Sequence, residues 1–333
     1  MNITFFELEA WEKEYVRERL GGFECRFYDH PLAGESIAQV SDCPVLVVFV
    51  HSEIDKKMID ALPNLRYLTT MSTGFDHIDL DACKARGIPV SNVPAYGDNT
   101  VAEHAFALIL ALTRRLIPSI DRTRTFDFTT EGLTGIDLKG KTIGIVGCGR
   151  IGQHAIRMAK GFEMNVLVFD VKKDPQLAKE LGFDYADLND LFARSDIISL
   201  HVPYNKFTHH LINKESIQHI KRGAYLINTA RGGLVETEAL IEALDTGIIA
   251  GAGLDVLEGE CEIKEEKQLL TKRFKDTCDL KMILQDHALM RHPDVIVTPH
   301  NAFNSHEALL RIMDTTIGNI KAFADGHPEN LVG

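Results

Sequence analysis

Residues 141–160 read KTIGIVGCGRIGQHAIRMAK. The apolar run TIGIV is followed at once by Gly147, Gly149 and Gly152 in G-x-G-x-x-G spacing, and then by a helical pattern. The first glycine allows a tight turn, the second lets the backbone approach a pyrophosphate, and the third lets helix pack on strand. The helix N-terminus is then placed to bind phosphates. The next apolar run, NVLVFD, ends at Asp170, 18 residues beyond Gly152, where a carboxylate can accept from both ribose hydroxyls and repel a 2′-phosphate. Strand, glycines, helix and acid in register predict a dinucleotide site that prefers NAD to NADP, with Lys172 and Lys173 close enough to tolerate a phosphate.

The same alternation extends in both directions. Downstream, KTIGIVG, NVLVFD, DIISLHVP, AYLINTA, IAGAGLDV and VIVTPH are six strand candidates, enough for a doubly wound nucleotide-binding sheet. The segment 261–294 interrupts the last step and reads as a helical excursion or lid. Upstream, ITFF, VLVVFV at 45–50, LRYLTTM at 65–71 and PVSNV at 89–93 are continuous apolar runs, as expected of a parallel sheet covered on both faces. Thr100 and Glu103 have capping-box spacing and predict the start of a long buried helix, VAEHAFALILALTRRL. The pattern SHEALLRIMDTTIGNIKAFADG, after Asn301, reads as a helix returning to the first sheet. The expected fold class is α/β with two doubly wound parallel-sheet domains. A flavodoxin-like domain takes residues 1–100 and 301–333, a Rossmann domain takes residues 101–300, and a ligand cleft is expected between them.

Composition sets the remaining bounds. With 333 residues, 45% hydrophobic and 25% charged, the chain has the material for folded cores, which excludes disorder, collagen and coiled coil. A formal charge of −12 repels nucleic acid and anionic membrane surfaces, so an anionic substrate needs a local cation. The six cysteines lack any CxxC and read as reduced thiols. No basic stretch followed by an apolar run opens the sequence, and the longest apolar stretches fall far short of the ~20 residues of a membrane span. A cytoplasmic protein is expected.

Strand ends supply the chemistry of hydride exchange with a 2-hydroxy acid. Arg231, in NTARGGLV, offers a guanidinium fork for a carboxylate. His300, in VTPHNAF, offers an imidazole that gives or takes a proton near neutral pH. Glu260, in GLDVLEGE, can hydrogen-bond His300 and hold it charged, although Glu258 and Glu262 compete for that task. Asp255, in the same stretch, is placed at the nicotinamide. His209 and His210 are adjacent, and His287 and His292 lie five apart, so these read as solvated surface histidines and no metal is expected.

Through GCGRIG with Asp170, NTARGG, GLDVLEGE and TPHNAF, the chain resembles the D-isomer-specific 2-hydroxyacid dehydrogenase family across nearly its whole length. The resemblance implies Arg231 as the carboxylate clamp, His300 as the acid/base and Glu260 as its partner, five residues after Asp255. It further implies NAD contacts at Arg150, Ile151, Asp170, Val202, Pro203, Thr208, Thr229, Ala230 and Asp255. The loop STGFDHID, with Thr73 and Gly74, matches the one with which such proteins hold a carboxylate on backbone amides. A homodimer is also implied, and the long helix from Val101 would suit its contact.

Within the family the chain is most similar to the fermentative D-lactate dehydrogenases. Tyr96 and Phe303 are the reason: two aromatic rings would wall off a small apolar pocket suited to the methyl group of pyruvate. Gly97 and Asp98, and Asn304 where a tyrosine is frequent, depart from that pattern and leave room for 2-ketoisocaproate or phenylpyruvate. Glyoxylate and hydroxypyruvate are further alternatives. A different class, an NAD-sensing corepressor on the same fold, is disfavoured by the lack of basic or low-complexity tracts.

Overall fold

A computed structural model of the chain describes residues 1–34, 37–259 and 280–333. These form two compact units, Met1–Tyr96 with Asn304–Gly333, and Gly97–Phe303.

In the first unit, strands β1 (Asn2–Phe5), β2 (Glu24–Phe27), β3 (Val45–Val48), β4 (Tyr67–Thr70) and β5 (Val90–Ser91) pair in parallel in the order 2-1-3-4-5, the flavodoxin-like arrangement. Every residue of β3 and β4 is buried, because helices cover both faces of the central strands. Strand β2, ECRF, escaped the sequence reading. It is an edge strand whose charged residues stay partly in water, so it lacks the continuous apolar run of its neighbours. Helices α1 (Ala10–Arg19), α2 (Ile37–Val40), α3 (Lys56–Asp60) and α4 (Leu80–Ala85) connect the strands. The C-terminal helix, His306–Ala324, starts where Ser305 Oγ accepts from Ala308 N at 3.2 Å. It packs on this sheet, stacking Phe323 on Tyr67 with ring centroids 4.3 Å apart.

The second unit begins with α5 (Asp98–Thr113) and α6 (Leu116–Arg124). It continues through β6 (Thr142–Val146), α7 (Arg150–Gly161), β7 (Asn165–Phe169), α8 (Pro175–Leu181), β8 (Asp184–Tyr185) and α9 (Leu188–Arg194). There follow β9 (Ile197–Leu200), β10 (Ala224–Asn228), α10 (Thr237–Asp245), β11 (Ile249–Leu254), α11 (Leu280–Arg291) and β12 (Val295–Val297). The strands form one parallel sheet, β12-β11-β10-β9-β6-β7-β8, a doubly wound sheet whose order reverses between β6 and β9. All six expected strands are present, and β8 is a seventh that two residues were too few to announce.

Alternate residues along each strand enter opposite cores. Ile143, Ile145, Val166 and Val168 pack with Phe106, Ile109 and Ile156 on one face. Leu167, Ile198, Leu200 and Leu226 pack with Leu191, Phe192 and Leu240 on the other. Each of these buried side chains contributes about 1.5–3 kcal/mol of hydrophobic stabilisation.

One expectation about the helices is corrected. Helix α5 starts at Asp98 behind Gly97, not at Thr100, and Thr100 is buried inside its first turn rather than capping it. Its buried residues Phe106, Leu108, Ile109 and Leu112 pack in the unit's own core. Helix α6 was not anticipated; it buries none of its residues and follows Arg115, whose φ of 51° breaks it from α5. Of the segment read as a lid, residues 261–279 lie outside the described ones, and 280–291 are helix α11.

Candidate active site

The glycine turn between β6 and α7 has the expected geometry. Gly147 sits at φ 101°, and a Cβ there would lie 2.6 Å from His201 O. A Cβ on Gly152 would lie 2.0 Å from Gly147 O, so helix and turn touch only because that atom is missing. At Gly149 nothing lies within 4 Å of the position a Cβ would take, which leaves the helix N-terminus open. Asp170 follows β7 and leans on this turn: its carboxylate accepts from Cys148 N at 2.7 Å and from Lys172 N at 2.8 Å. Arg150 is exposed and lies 3.4 Å from Asp98 Oδ2, and Ile151 is half-buried.

The other dinucleotide candidates lie at the same carboxyl edge of the sheet. Val202 and Pro203 follow β9, and Thr208 closes their turn by donating to Pro203 O at 2.7 Å. Beneath them His201 accepts or donates one bond, to Ser199 Oγ at 2.9 Å, and burial pushes its imidazole down to about 4. Thr229 and Ala230 follow β10, and the Thr229 hydroxyl is buried without a protein hydrogen-bond partner. An open helix N-terminus, a fixed carboxylate and an orphaned hydroxyl on one sheet edge fit a dinucleotide.

Arg231 and His300 are brought to adjacent loops on this edge by a run of hydrogen bonds. Asn228 ends β10 and is buried; its Nδ2 donates to Arg231 O at 2.8 Å and its Oδ1 accepts from Ala230 N at 3.0 Å. Asn228 O accepts from Asp255 N, and Asp255 O accepts from His300 N, both at 2.9 Å. The Arg231 Nη1 donates to Ala230 O at 2.8 Å.

The carboxylate of Asp255 is fully buried and organises the loop after β12. Its Oδ1 accepts from Thr298 Oγ1 and from Asn301 N at 3.0 Å, and its Oδ2 accepts from Ala302 N at 2.8 Å. From α5, His104 Nε2 lies 3.0 Å from Thr298 Oγ1 and 3.5 Å from Asp255 Oδ1. Asn228, Thr298 and His104 went unnoticed in the sequence. A polar residue closing an otherwise apolar strand, as Asn228 does in AYLIN, was the available signal.

Among the competing glutamates, Glu258 is committed elsewhere. It pairs with His210 Nε2, and its other oxygen accepts from Thr237 Oγ1 at 2.9 Å and Thr237 N at 3.2 Å. His210 is thus half-buried and hydrogen-bonded to Glu258 rather than a solvated surface histidine, and it stacks on His209 with ring centroids 3.8 Å apart. A Cβ on Gly232 would meet Leu257 O at 2.0 Å, so the turn after Arg231 lies directly against this glutamate's segment. Glu260 and Glu262 lie outside the described residues. Among the described residues, no group of three or more metal-ligating side chains occurs.

Of the substrate candidates, Phe303 belongs to the second unit and is half-buried. Thr73, Gly74 and Tyr96 belong to the first. Thr73 and Gly74 follow β4, with Thr73 Oγ1 donating to Val93 O at 2.7 Å and Gly74 O accepting from Ser72 Oγ at 2.6 Å. Tyr96 is half-buried, and its carbonyl accepts from Arg311 Nε at 2.6 Å.

The chain as a whole is similar to known proteins. The family model "D-isomer specific 2-hydroxyacid dehydrogenase, NAD binding domain" matches residues 106–302. The chain is 35% identical to the D-lactate dehydrogenase of Escherichia coli over the whole of both chains. It is 34% identical to the glyoxylate reductase of Thermococcus litoralis, over 98% of this chain and 91% of that one. Among solved structures, D-lactate dehydrogenase from Aquifex aeolicus complexed with NAD and lactic acid is 37% identical, with a TM-score of 0.85 over 98% of this chain and 96% of that one.

Proposed function

The chain belongs to the D-isomer specific 2-hydroxyacid dehydrogenase family and is an NAD-dependent oxidoreductase, and from that premise we propose that it interconverts pyruvate and D-lactate. The observation that carries the site assignment is the hydrogen-bonded run from Arg231 through Asn228 and Asp255 to His300, which ties a cation and an acid/base to one sheet edge.

In this reading Arg231 grips the substrate carboxylate through two parallel hydrogen bonds, which orients the keto carbon as well as binding the anion. The imidazolium of His300 gives its proton to the ketone oxygen as negative charge develops there, and takes it back in the reverse direction. Glu260, by its place in the sequence, keeps that imidazole charged. Asp255 acts through the loop it holds. The turn at Gly147, Gly149 and Gly152 with the α7 N-terminus receives the pyrophosphate, and Asp170 the adenosine ribose. Arg150, Ile151, Val202, Pro203, Thr208, Thr229 and Ala230 line the rest of the dinucleotide's path. When bound, NADH supplies the hydride.

Three things support this substrate: relatives named D-lactate dehydrogenase, the aromatic residues Tyr96 and Phe303, and the loop at Thr73 and Gly74. A relative named glyoxylate reductase makes glyoxylate the second candidate. Ranking pyruvate, glyoxylate, hydroxypyruvate, 2-ketoisocaproate and phenylpyruvate by kcat/KM, with NADH and with NADPH, tests both substrate and cofactor. Pyruvate with NADH should lead; another acid in first place would replace it.

We also infer a homodimer in the cytoplasm. Leu116, Ile117 and Ile120 of α6, with Phe126 at 90% and Phe128 at 80% exposure, are large apolar side chains left in water that a second copy would cover. The four cysteines among the described residues are free thiols, as a reducing compartment keeps them. Light scattering after gel filtration gives the mass, and a monomer would rule the dimer out.

A further inference from the structure

The loop after β4 is held from within its own unit by a hydrogen-bond chain whose direction is forced. Gly74 O can only accept, so the Ser72 hydroxyl commits its single proton there, at 2.6 Å. Ser72 Oγ must then accept from Thr70 Oγ1, at 2.7 Å. Thr70 Oγ1, its own proton used, accepts from Nε2–H of His77 at 3.2 Å. Thr70 and Ser72 are 0% and 2% exposed, so water cannot replace a missing member. Burial pushes the His77 imidazole down, with Asp76 opposing and His51 reinforcing, so near neutral pH it carries one ring proton, which the chain places on Nε2.

The adjoining peptide is anchored as well. Thr73 O accepts from Asn92 Nδ2 at 2.8 Å. A trans peptide points its C=O and N–H in opposite directions. With the carbonyls of Thr73 and Gly74 both fixed, the N–H groups of Gly74 and Phe75 are directed away from those anchors.

We propose that His77, Thr70 and Ser72 are positioning residues for the substrate carboxylate: their chain sets the two peptides so that the N–H groups of Gly74 and Phe75 receive the anion. This rests on the reading that the Thr73–Gly74 loop binds a 2-keto acid. None of the three side chains touches the substrate; each acts through the next, so the loss of Ser72 frees the Gly74 carbonyl directly, and the loss of Thr70 or His77 removes the donor that directs the Ser72 hydroxyl toward it.

The test is steady-state kinetics of the full chain with NADH and pyruvate. Thr70→Val, which keeps the shape of the side chain, and His77→Ala should each raise KM for pyruvate about tenfold while kcat and KM for NADH stay within about twofold. His77→Gln, which restores an N–H donor, should bring KM back toward the wild-type value. An unchanged pyruvate KM in Thr70→Val overturns the proposal, as does a parallel loss of kcat and NADH affinity with a lowered Tm, the mark of a merely structural role. If the wild type reduces no 2-keto acid, it is the enzymatic reading that fails. The loop is then judged by titrating oxamate into isotope-labelled protein. Amide shifts at Gly74 and Phe75 that disappear in Thr70→Val support the proposal, and their absence in the wild type overturns it.

Discussion

The backbone N–H of His300 donates to the carbonyl oxygen of Asp255 at 2.9 Å, while the Asp255 carboxylate takes the next two N–H groups, of Asn301 and Ala302. One buried side chain therefore sets the loop that carries the imidazole, including a φ of 50° at His300. A left-handed conformation is sparsely populated by residues with a Cβ, and here the surrounding bonds maintain it.

Asp255→Asn keeps the size of the side chain but replaces one acceptor oxygen by a donor, which then faces a backbone N–H or the Thr298 hydroxyl. Turnover should fall by about tenfold to a hundredfold, with KM for NADH within about twofold. Steady-state kinetics check this, and unchanged turnover would show that the loop holds its shape without the charge.

The glycines of the dinucleotide turn separate binding from folding. Gly152→Ala forces a Cβ to within 2.0 Å of Gly147 O, so both Tm and NADH affinity should drop. Gly149→Ala meets nothing in the protein and lies at an ordinary φ of −69°, so Tm should stay while the dissociation constant for NADH rises about tenfold or more. Thermal unfolding and fluorescence titration distinguish the two outcomes.

His201 makes stability depend on acid. Its folded value of about 4 lies below the ordinary value of 6.5, so the unfolded chain binds the proton first. The stability this histidine contributes is complete above about pH 6.5 and is lost as pH falls toward about 4, by roughly 2–3 kcal/mol. His201→Gln should shrink the difference between urea midpoints at about pH 7 and about pH 4.5; an unaltered difference would assign the acid sensitivity to other groups.

Arg231→Lys replaces a fork by a point charge. KM for pyruvate should rise at least about tenfold, because one ammonium cannot make two parallel bonds to a carboxylate. An unchanged KM would remove Arg231 as the clamp.

What was legible in the sequence was what is local. The glycine spacing with Asp170 announces a strand, a turn and a helix within one contiguous stretch, and continuous apolar runs announce strands buried on both faces. Strand β8 has two residues, β2 sits half in water, and α6 leaves its apolar side chains exposed, so none of the three produces the pattern that burial imposes on a sequence. The candidate residues at strand ends could be named, but not their contacts. That Glu258 is spent on His210 and Thr237, 48 and 21 residues away, is settled only by the packing of three separate segments. His77 gave no sign for the same reason: its role depends on which hydroxyl lies next to it in the folded chain.

The central claim is that His300 moves the proton of a 2-keto acid reduction, and single-turnover reduction of pyruvate by His300→Ala, alongside fluorescence titration of NADH, tests it most directly. Hydride transfer should slow by at least about a hundredfold while NADH binds as tightly as in the wild type. Transfer at a near-normal rate with NADH bound would contradict it.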